Sequence, residues 1–484
     1  MADKKLILVT GGAGFIGSHL CARLARDGHR VISLDNYFTG SKSSHAEGVE
    51  YREGHTKDIE KLVPETPDLI YHLGEYSRVE QSVLEPEVVH DLNVLGTQGV
   101  LEFWQKRSCK LLYAGSSTKF GDGGAARETS PYASTKAANT EKVRKLGDDR
   151  GLPYAITYFY NVYGPGERAG IYGTVIEAFR QMYMQGAPAA ITAPGTQMRN
   201  FTHVSDIVEG LVAVGEKGSG DEFGLGNEKS FSILEVARMF GIDTVMLPPR
   251  ASNRTQSSLD TSKSRALGWR TAHSLEEYIR AFVSSHPKVP SREKRVLVFS
   301  TTFFPTAGPA EHALLSLMRQ VPDMQFDVIT STFSGKAEAP LLPNVAVYRV
   351  GLGRTLDKYL LPILGFYKAR ELGKKHSYLF SWALMASYAA LAGARLKGRE
   401  GLPLLVTLAD QDLSRLSFLK RIALNIVLTR ADQVYGISTG QESHASRISR
   451  SPLMRRTLGA GDAFANQLRY AYAELMRERA AGKK

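Results

Sequence analysis

Tyr132 and Lys136 stand four residues apart in "SPYASTK" (130–136), a spacing that makes them neighbours on one helix face whatever they do. A phenol with an ordinary pKa of about 10 is a weak base at neutral pH, and a nearby ammonium favours its phenolate form. Such a pair can take a hydroxyl proton if a third group orients the reacting oxygen. Ser116 and Ser117 close the apolar run "CKLLYAGSS" (109–117) just ahead of the pair. Spacing alone does not separate a catalytic pair from two helix neighbours, so the reading depends on the elements that position them.

Those elements begin with "KLILVTGG", followed by Gly11, Gly14 and Gly17 and then an amphipathic stretch with Ile16, Leu20 and Leu24 on one face. A second β-rich run, "RVISL", ends at Asp35. Glycines at this turn let backbone N–H groups and a helix N-terminus approach a pyrophosphate. An acid closing the second strand can hold ribose hydroxyls, which favours NAD over NADP. "DLIYHLG" (68–74), the helical stretch around "NVLGTQGVLEFW" (93–104) and "CKLLYAGSS" continue a strand–helix alternation. That order predicts an α/β fold with a doubly wound parallel sheet. Ser116 then lies at the carboxyl end of a strand, where open α/β sheets bind ligands.

A chain of 484 residues is too long for one ordinary core. Its 43% hydrophobic and 23% charged content is that of a soluble globular protein. Two cysteines, Cys21 and Cys109, and no basic-then-apolar leader before the first strand imply a reducing cytoplasm. The net charge of +12 is unevenly spread: residues 291–484 carry 28 Lys+Arg against 15 Asp+Glu, the remainder 33 against 34. The two parts should therefore have different partners. Nucleic acid is excluded as a reading because no binding module accompanies the charge, and no metal site is expected.

The ordered set of GxxGxxG, strand-end serine and YxxxK resembles the extended short-chain dehydrogenase/reductase family, in its nucleotide-sugar epimerase and dehydratase branch, over about residues 4–285. The resemblance implies Ser116, Tyr132 and Lys136 as catalytic residues and NAD as cofactor. It further implies cofactor contacts from Gly11, Gly14, Phe15, Ile16, Gly17, Asp35, Asn36 and Asn93, with Tyr132 and Lys136 beside the nicotinamide. "YFYNVYGPGE" (158–167) places Asn161 on the nucleotide sugar. "PGTQMRNFTHVSDI" (194–207) and "PPRASNRTQSSLD" (248–260) place Arg199 and Arg250 on its diphosphate. Ser257, three residues before Asp260, would sit beside the sugar's C2 substituent and leave room for an N-acetyl group. His203 and Asp206 read as structural hydrogen-bonders. A homodimer through this part is also implied.

Two positions depart from the family pattern. His55 in "EGHTKDI" (53–59) replaces an adenine-binding Asp, and "GEYS" (74–77) replaces the small residues usual beside the nicotinamide. After Ser116 the chain reads Ser117 and Thr118, with an unusual Lys119. Dehydratase relatives carry Asp-Glu there, and decarboxylase relatives keep the glutamate. The implied reaction is therefore 4-epimerisation of a UDP-hexose or UDP-N-acetylhexosamine: Tyr132 takes the C4 hydroxyl proton as hydride passes to NAD, the 4-keto sugar turns over, and hydride returns to its other face. The alternatives are a dehydratase or decarboxylase of the same family, or a non-catalytic sugar-nucleotide scaffold for a glycosyltransferase.

The expected organisation is an epimerase domain over 1–288, its small substrate subdomain mainly from 165 onward, then a linker over 289–295. A second Rossmann-like domain follows over 296–440, with a basic stretch and terminal helix over 441–484. "VLVFSTTFFPTAGPAEHALLSLMRQV" (296–321), with Gly308-Pro309-Ala310-Glu311, is similar to the N-terminal half of retaining GT-B glycosyltransferases of the family-4 kind, as are "FDVIT", "VAVYRVG", "PLLVTL" and "ADQVYGIS". The 46 residues after Ser438 are too few for the donor-binding half. "GAGDAF" (459–464) reads as a helix start capped near Asp462. "YLFSWALMASYAALAGA" (378–394) is a charge-free run of 17 residues, read as a buried helix rather than a span. The basic excess would suit an anionic membrane surface or a glycosyltransferase partner, peripheral to a cytoplasmic protein.

Overall fold

The computed structural model describes residues 4–83, 85–116, 130–159, 161–169, 173–247, 260–287, 293–322, 324–334, 342–385, 387–408, 418–436 and 454–457. Ser117, Thr118, Lys119, Arg250, Ser257 and the 459–464 motif lie outside the described residues. The chain forms two compact units. The first comprises Met1–Gln181, Ile191–Gly241 and Pro249–Pro287; the second comprises Met182–Ala190, Ile242–Pro248 and Lys288–Lys484.

The sheet of the first unit has seven strands: β1 (Leu6–Thr10), β2 (Arg30–Asp35), β3 (Val49–Glu53), β4 (Leu69–His72), β5 (Lys110–Ser116), β6 (Tyr154–Phe159) and β7 (Gly220–Gly224). Their order is β7-β6-β5-β4-β1-β2-β3, and every pairing is parallel. Alternate residues point to opposite faces of such strands. Ile7, Val9, Leu69 and Tyr71 thus enter one core cluster, and Leu8, Ile32, Leu34 and Ile70 the other. Helices α1 (Phe15–Arg26), α2 (Gly96–Arg107), α3 (Pro131–Arg150) and α4 (Val204–Lys217) accompany the sheet. A small antiparallel pair, Met198–Asn200 with Ser230–Ser232, belongs to the same unit.

The second sheet also has seven strands: β8 (Arg295–Phe299), β9 (Gln325–Ser331), β10 (Val345–Val350), β11 (Phe380–Leu384), β12 (Leu404–Leu408), β13 (Gln433–Gly436) and β14 (Met454–Thr457). Its order, β10-β9-β8-β11-β12-β13-β14, is again all parallel. Helices α5 (Pro309–Gln320), α6 (Asp357–Gly373), α7 (Tyr388–Glu400) and α8 (Phe418–Arg430) belong to this unit. The α/β class expected from the sequence is observed in both units.

One local expectation is revised, and one strand falls outside the elements expected. The charge-free run 378–394 is strand β11 followed by the start of α7, not one helix, and no described helix is long and apolar enough to cross a membrane. Strand β14 lies beyond the residue-440 end read for the second domain; its "MRRT" sequence carries no apolar pattern that would announce a strand.

Candidate active site

The order of the first sheet reverses direction between β1 and β4, where Thr10 stands opposite His72. The crevice at this reversal is where parallel sheets take ligands. Gly11 leaves β1 with φ +73, and a Cβ on it would lie 2.9 Å from the Gly74 Cα. A Cβ on Gly17 would lie 2.1 Å from the Gly11 carbonyl oxygen. Glycine is required at both positions because backbone packs directly on backbone. α1 starts at Phe15 behind Gly14, with no side-chain cap and no acid in its first turn, and Ile16 packs against the core. A bare helix start of this kind attracts a diphosphate.

Asp35, buried at the end of β2, accepts from the Ala13 N–H at 2.9 Å on Oδ2 and from the Tyr37 N–H at 2.7 Å on Oδ1. Burial pushes its carboxyl up, against the pull of those two donors. Each oxygen keeps an acceptor site for a ribose hydroxyl. The neighbouring Asn36 is exposed and accepts from the Phe38 N–H at 3.1 Å. Glycines, bare helix start and strand-end acid together fit NAD.

α3 positions Tyr132 and Lys136. Ser130 caps it by accepting from the Ala133 N–H at 3.2 Å, and Pro131 occupies its first turn, where a missing N–H costs nothing. Its buried face carries Ala133, Lys136, Asn139, Thr140, Val143 and Gly147. Lys136 therefore points inward, while the half-buried Tyr132 packs against Tyr76, Val89 and Leu92. The Tyr132 hydroxyl donates to Ser116 Oγ at 3.1 Å. Strand β5, helix α3 and the switch point thus bring Ser116, Tyr132 and Lys136 together.

The Lys136 ammonium donates to the Ala114 carbonyl and to Glu75 Oε2. Glu75, in the departing "GEYS" segment, has a side chain only 3% exposed. Its Oε1 accepts from Thr97 Oγ1 at 2.7 Å, Tyr113 Oη at 3.2 Å and Asn139 Nδ2 at 2.7 Å. Burial works to raise its pKa, but the Lys136 charge and these donors hold the carboxyl below the usual range. His72 links Thr10 at 2.7 Å to Thr97 at 3.0 Å, and burial pushes it down to about 4. Sequence reasoning marked Glu75 as a departure but missed its partner; the available signal was a lysine on the buried face of a helix.

Asn93 is fully buried, its Oδ1 accepting from the Tyr76 N–H at 2.6 Å and its Nδ2 donating to Thr135 Oγ1 at 3.1 Å. It holds the Glu75–Tyr76 segment, and a cofactor contact from its side chain would have to share these bonds. His55 caps a short helix by accepting from the Lys57 N–H at 3.0 Å, and its Nε2 is 3.2 Å from Asp91. Asn161 adopts φ 50 and donates to the Asn200 carbonyl at 3.1 Å, next to Arg199, whose Nη1 donates to the Met198 carbonyl at 2.7 Å. Asn161 and Arg199 thus belong to one small module. Asp206 ties down Ala272 and His273, and His203 accepts from the Ser205 N–H at 3.2 Å, which are structural roles. Among the described residues no cluster is suited to a metal ion.

Comparison with known proteins bears on the same unit. Residues 7–226 match the model of the NAD dependent epimerase/dehydratase family. A putative UDP-glucose 4-epimerase of Methanocaldococcus jannaschii is 30% identical over 297 residues, covering 58% of this chain and 97% of that protein. UDP-glucuronic acid decarboxylase 1 of Xenopus tropicalis is 30% identical, covering 57% and 70%. The solved UDP-glucose 4-epimerase of Thermus thermophilus in complex with NAD superposes with a TM-score of 0.52 at 28% identity, covering 58% and 98%.

Proposed function

Because the chain belongs to the NAD-dependent epimerase/dehydratase family, we propose that its first unit is a nucleotide-sugar 4-epimerase acting on UDP-hexoses, with UDP-N-acetylhexosamines admitted if Ser257 lines the C2 pocket. The observation that carries this reading is the Tyr132 Oη–Ser116 Oγ contact of 3.1 Å above a buried Lys136. Tyr132 takes the proton of the C4 hydroxyl, Ser116 orients the reacting oxygen, and Lys136 supplies the positive charge that favours phenolate. Bound NAD supplies a reversible two-electron acceptor. Gly11, Gly14, Gly17, Phe15 and Ile16 would hold its diphosphate region, Asp35 and Asn36 its adenosine ribose, and Lys136 its nicotinamide ribose. Asn161 and Arg199, joined by Arg250, would hold the sugar nucleotide.

A decarboxylase is the second reading, supported by relatives of comparable identity. Against it stand Ser117 and Thr118 where an acid would be needed. Glu75 does not supply that acid, since four donors including the Lys136 ammonium engage its carboxylate and hold it ionised. Incubation with UDP-, dTDP- and GDP-hexoses and with UDP-glucuronate, with products identified by NMR, tests the assignment: a C4 epimer supports it, and a pentose product overturns it. A homodimer through the first unit is expected and is checked by sedimentation equilibrium. The free, buried thiols of Cys21 and Cys109 support a cytoplasmic setting.

For the second unit we infer a glycosyltransferase-like half-domain that sits peripherally on anionic lipid. Its support is helix α6, which is apolar on both sides. Leu361, Phe366, Ala369 and Leu372 pack into the core, while Leu356, Tyr359, Leu360, Ile363, Leu364 and Tyr367 are 36–62% exposed. The exposed side chains recur at helical spacing, and Arg354, Lys358, Lys374 and Lys375 flank them. An apolar stripe with basic flanks fits the interface of an anionic bilayer. Co-sedimentation of the full chain with phosphatidylglycerol vesicles should exceed that with neutral vesicles, weaken with salt, and fall in Leu356→Glu/Ile363→Glu. Self-association through this face, seen as a dimer lost in the same variant without vesicle binding, would replace the lipid reading.

A further inference from the structure

The Glu75–Lys136 pair goes beyond the catalytic trio. Two opposite charges, both with side chains no more than 6% exposed, meet beneath Tyr132 at the carboxyl ends of β4 and β5. Removing one partner of such a pair leaves an uncompensated buried charge. The surrounding hydrogen bonds also have a direction. Thr97 donates to Glu75, so its oxygen accepts from His72 Nε2–H; His72 Nδ1 then accepts from the Thr10 hydroxyl, which itself accepts from the Gly74 N–H. This order requires a neutral His72, and burial keeps it so. Tyr113 also contributes no charge, since burial holds its phenol well above the ordinary value. The charged groups facing this site are therefore Glu75 and Lys136, with the Tyr132 hydroxyl at its mouth.

We infer that Glu75 is a positioning residue that fixes the Lys136 ammonium against the Ala114 carbonyl and cancels much of its charge, so that the pair, rather than the lysine alone, sets the field at Tyr132 and at the nicotinamide. The inference rests on the reading of Lys136 and Tyr132 as catalytic residues. Its consequence is a tuned site: the carboxylate lowers the attraction of Lys136 for phenolate and favours the positively charged oxidised nicotinamide over the neutral reduced ring.

Glu75→Gln tests this with little change of shape. The Tyr113 hydroxyl can turn to accept, and the Asn139 amide can flip to present its oxygen. Affinities of NAD and NADH are measured by titration calorimetry, independently of turnover. The ratio should move toward NADH by about tenfold in Glu75→Gln, the size of one unpaired partial charge near the ring, and stay near the wild-type value in Glu75→Asp, which keeps the charge. In the same variant, the acid limb of the kcat–pH profile should move about one pH unit lower while Glu75→Asp keeps its place. A merely structural pair would weaken both dinucleotides equally and leave the limb unmoved, which overturns the inference. Should Glu75→Gln fail to fold, Tyr113→Phe carries the test: loss of one donor leaves more of the carboxylate's charge uncompensated and should move the ratio toward NAD, while Glu75→Asp stays near the wild-type value, and an unchanged ratio in Tyr113→Phe overturns the inference. A wild-type protein that binds NAD without turning over any sugar contradicts the epimerase reading alone, because the affinity ratio remains measurable.

Discussion

The two sheets share one strand order, yet they bury different chemistry. In each, the first strand of the sheet lies in its interior, third from one edge, a loop leads to a helix, and the order reverses beside it. At the reversal of the first sheet, glycine backbone packs on glycine backbone, and a buried acid and lysine lie under a tyrosine–serine contact. At the corresponding loop of the second sheet, Glu311 is consumed by structure: it accepts from Thr302 Oγ1 at 2.9 Å, from the Gly308 N–H at 2.9 Å and from Ser300 Oγ at 3.3 Å. A second charged cluster of that unit, in which the partly buried Arg295 and the Tyr378 hydroxyl donate to the buried Asp327, lies toward the strand starts, away from the ligand-binding ends. Topology supplies a crevice, and only the side chains at its mouth make it a site.

The comparison breaks most visibly at Tyr132. Tyr132→Phe should lower kcat by about a hundred- to ten-thousand-fold while NAD affinity is retained. Steady-state assays with the preferred hexose check this, and turnover near the wild-type rate would remove Tyr132 from the mechanism.

Acid should separate the units next. His72 and His203 are both pushed down to about 4 by burial, His72 within the sheet and His203 beside His273. Their stabilising contribution is fully present above the unfolded value near 6.5 and is lost as pH falls toward 4, because the unfolded chain binds the extra protons. For His72 this is on the order of 3 kcal/mol. Hydrogen exchange of peptides from β1 and β4 should accelerate across that window relative to peptides from β8 and β11; equal acceleration in both would contradict the assignment.

A smaller contrast lies in the glycines. Gly17→Ala forces a Cβ against the Gly11 carbonyl at 2.1 Å and should cost about 1–3 kcal/mol, with loss of NAD binding. Gly308→Ala meets only the Glu311 carboxylate, at 3.2 Å and not backbone, and should change stability by less than about 1 kcal/mol. Thermal melts with and without NAD distinguish them, and equal penalties would mean that the two loops are built alike.

Much of the first unit was legible in the sequence because its signals are local. The glycine spacing, Asp35 at the end of a β run, and the Tyr132–Lys136 interval on one helix each follow from short-range geometry. The Glu75–Lys136 pair joins residues 61 positions apart, and no periodicity connects them. It follows only from the rule that a lysine on a buried helix face needs an acid. Asn93 was read as a cofactor contact, yet its amide is engaged by the loop it supports, a partnership visible only once β4 and α2 are placed. In the second unit, the apolar run 378–394 concealed a strand that ends at Leu384 and a helix that begins at Tyr388, since no charge marks the boundary.

The central claim is that Tyr132, Ser116 and Lys136 of the first unit interconvert C4 epimers of a UDP-hexose. Its most direct test is incubation of the full chain with UDP-glucose and NAD in D2O, followed by proton NMR of the sugar. The account predicts UDP-galactose with no deuterium at carbon, because the hydride leaving C4 is returned to C4 from the bound cofactor. A dehydrated product, or deuterium at C3 or C5, would contradict it.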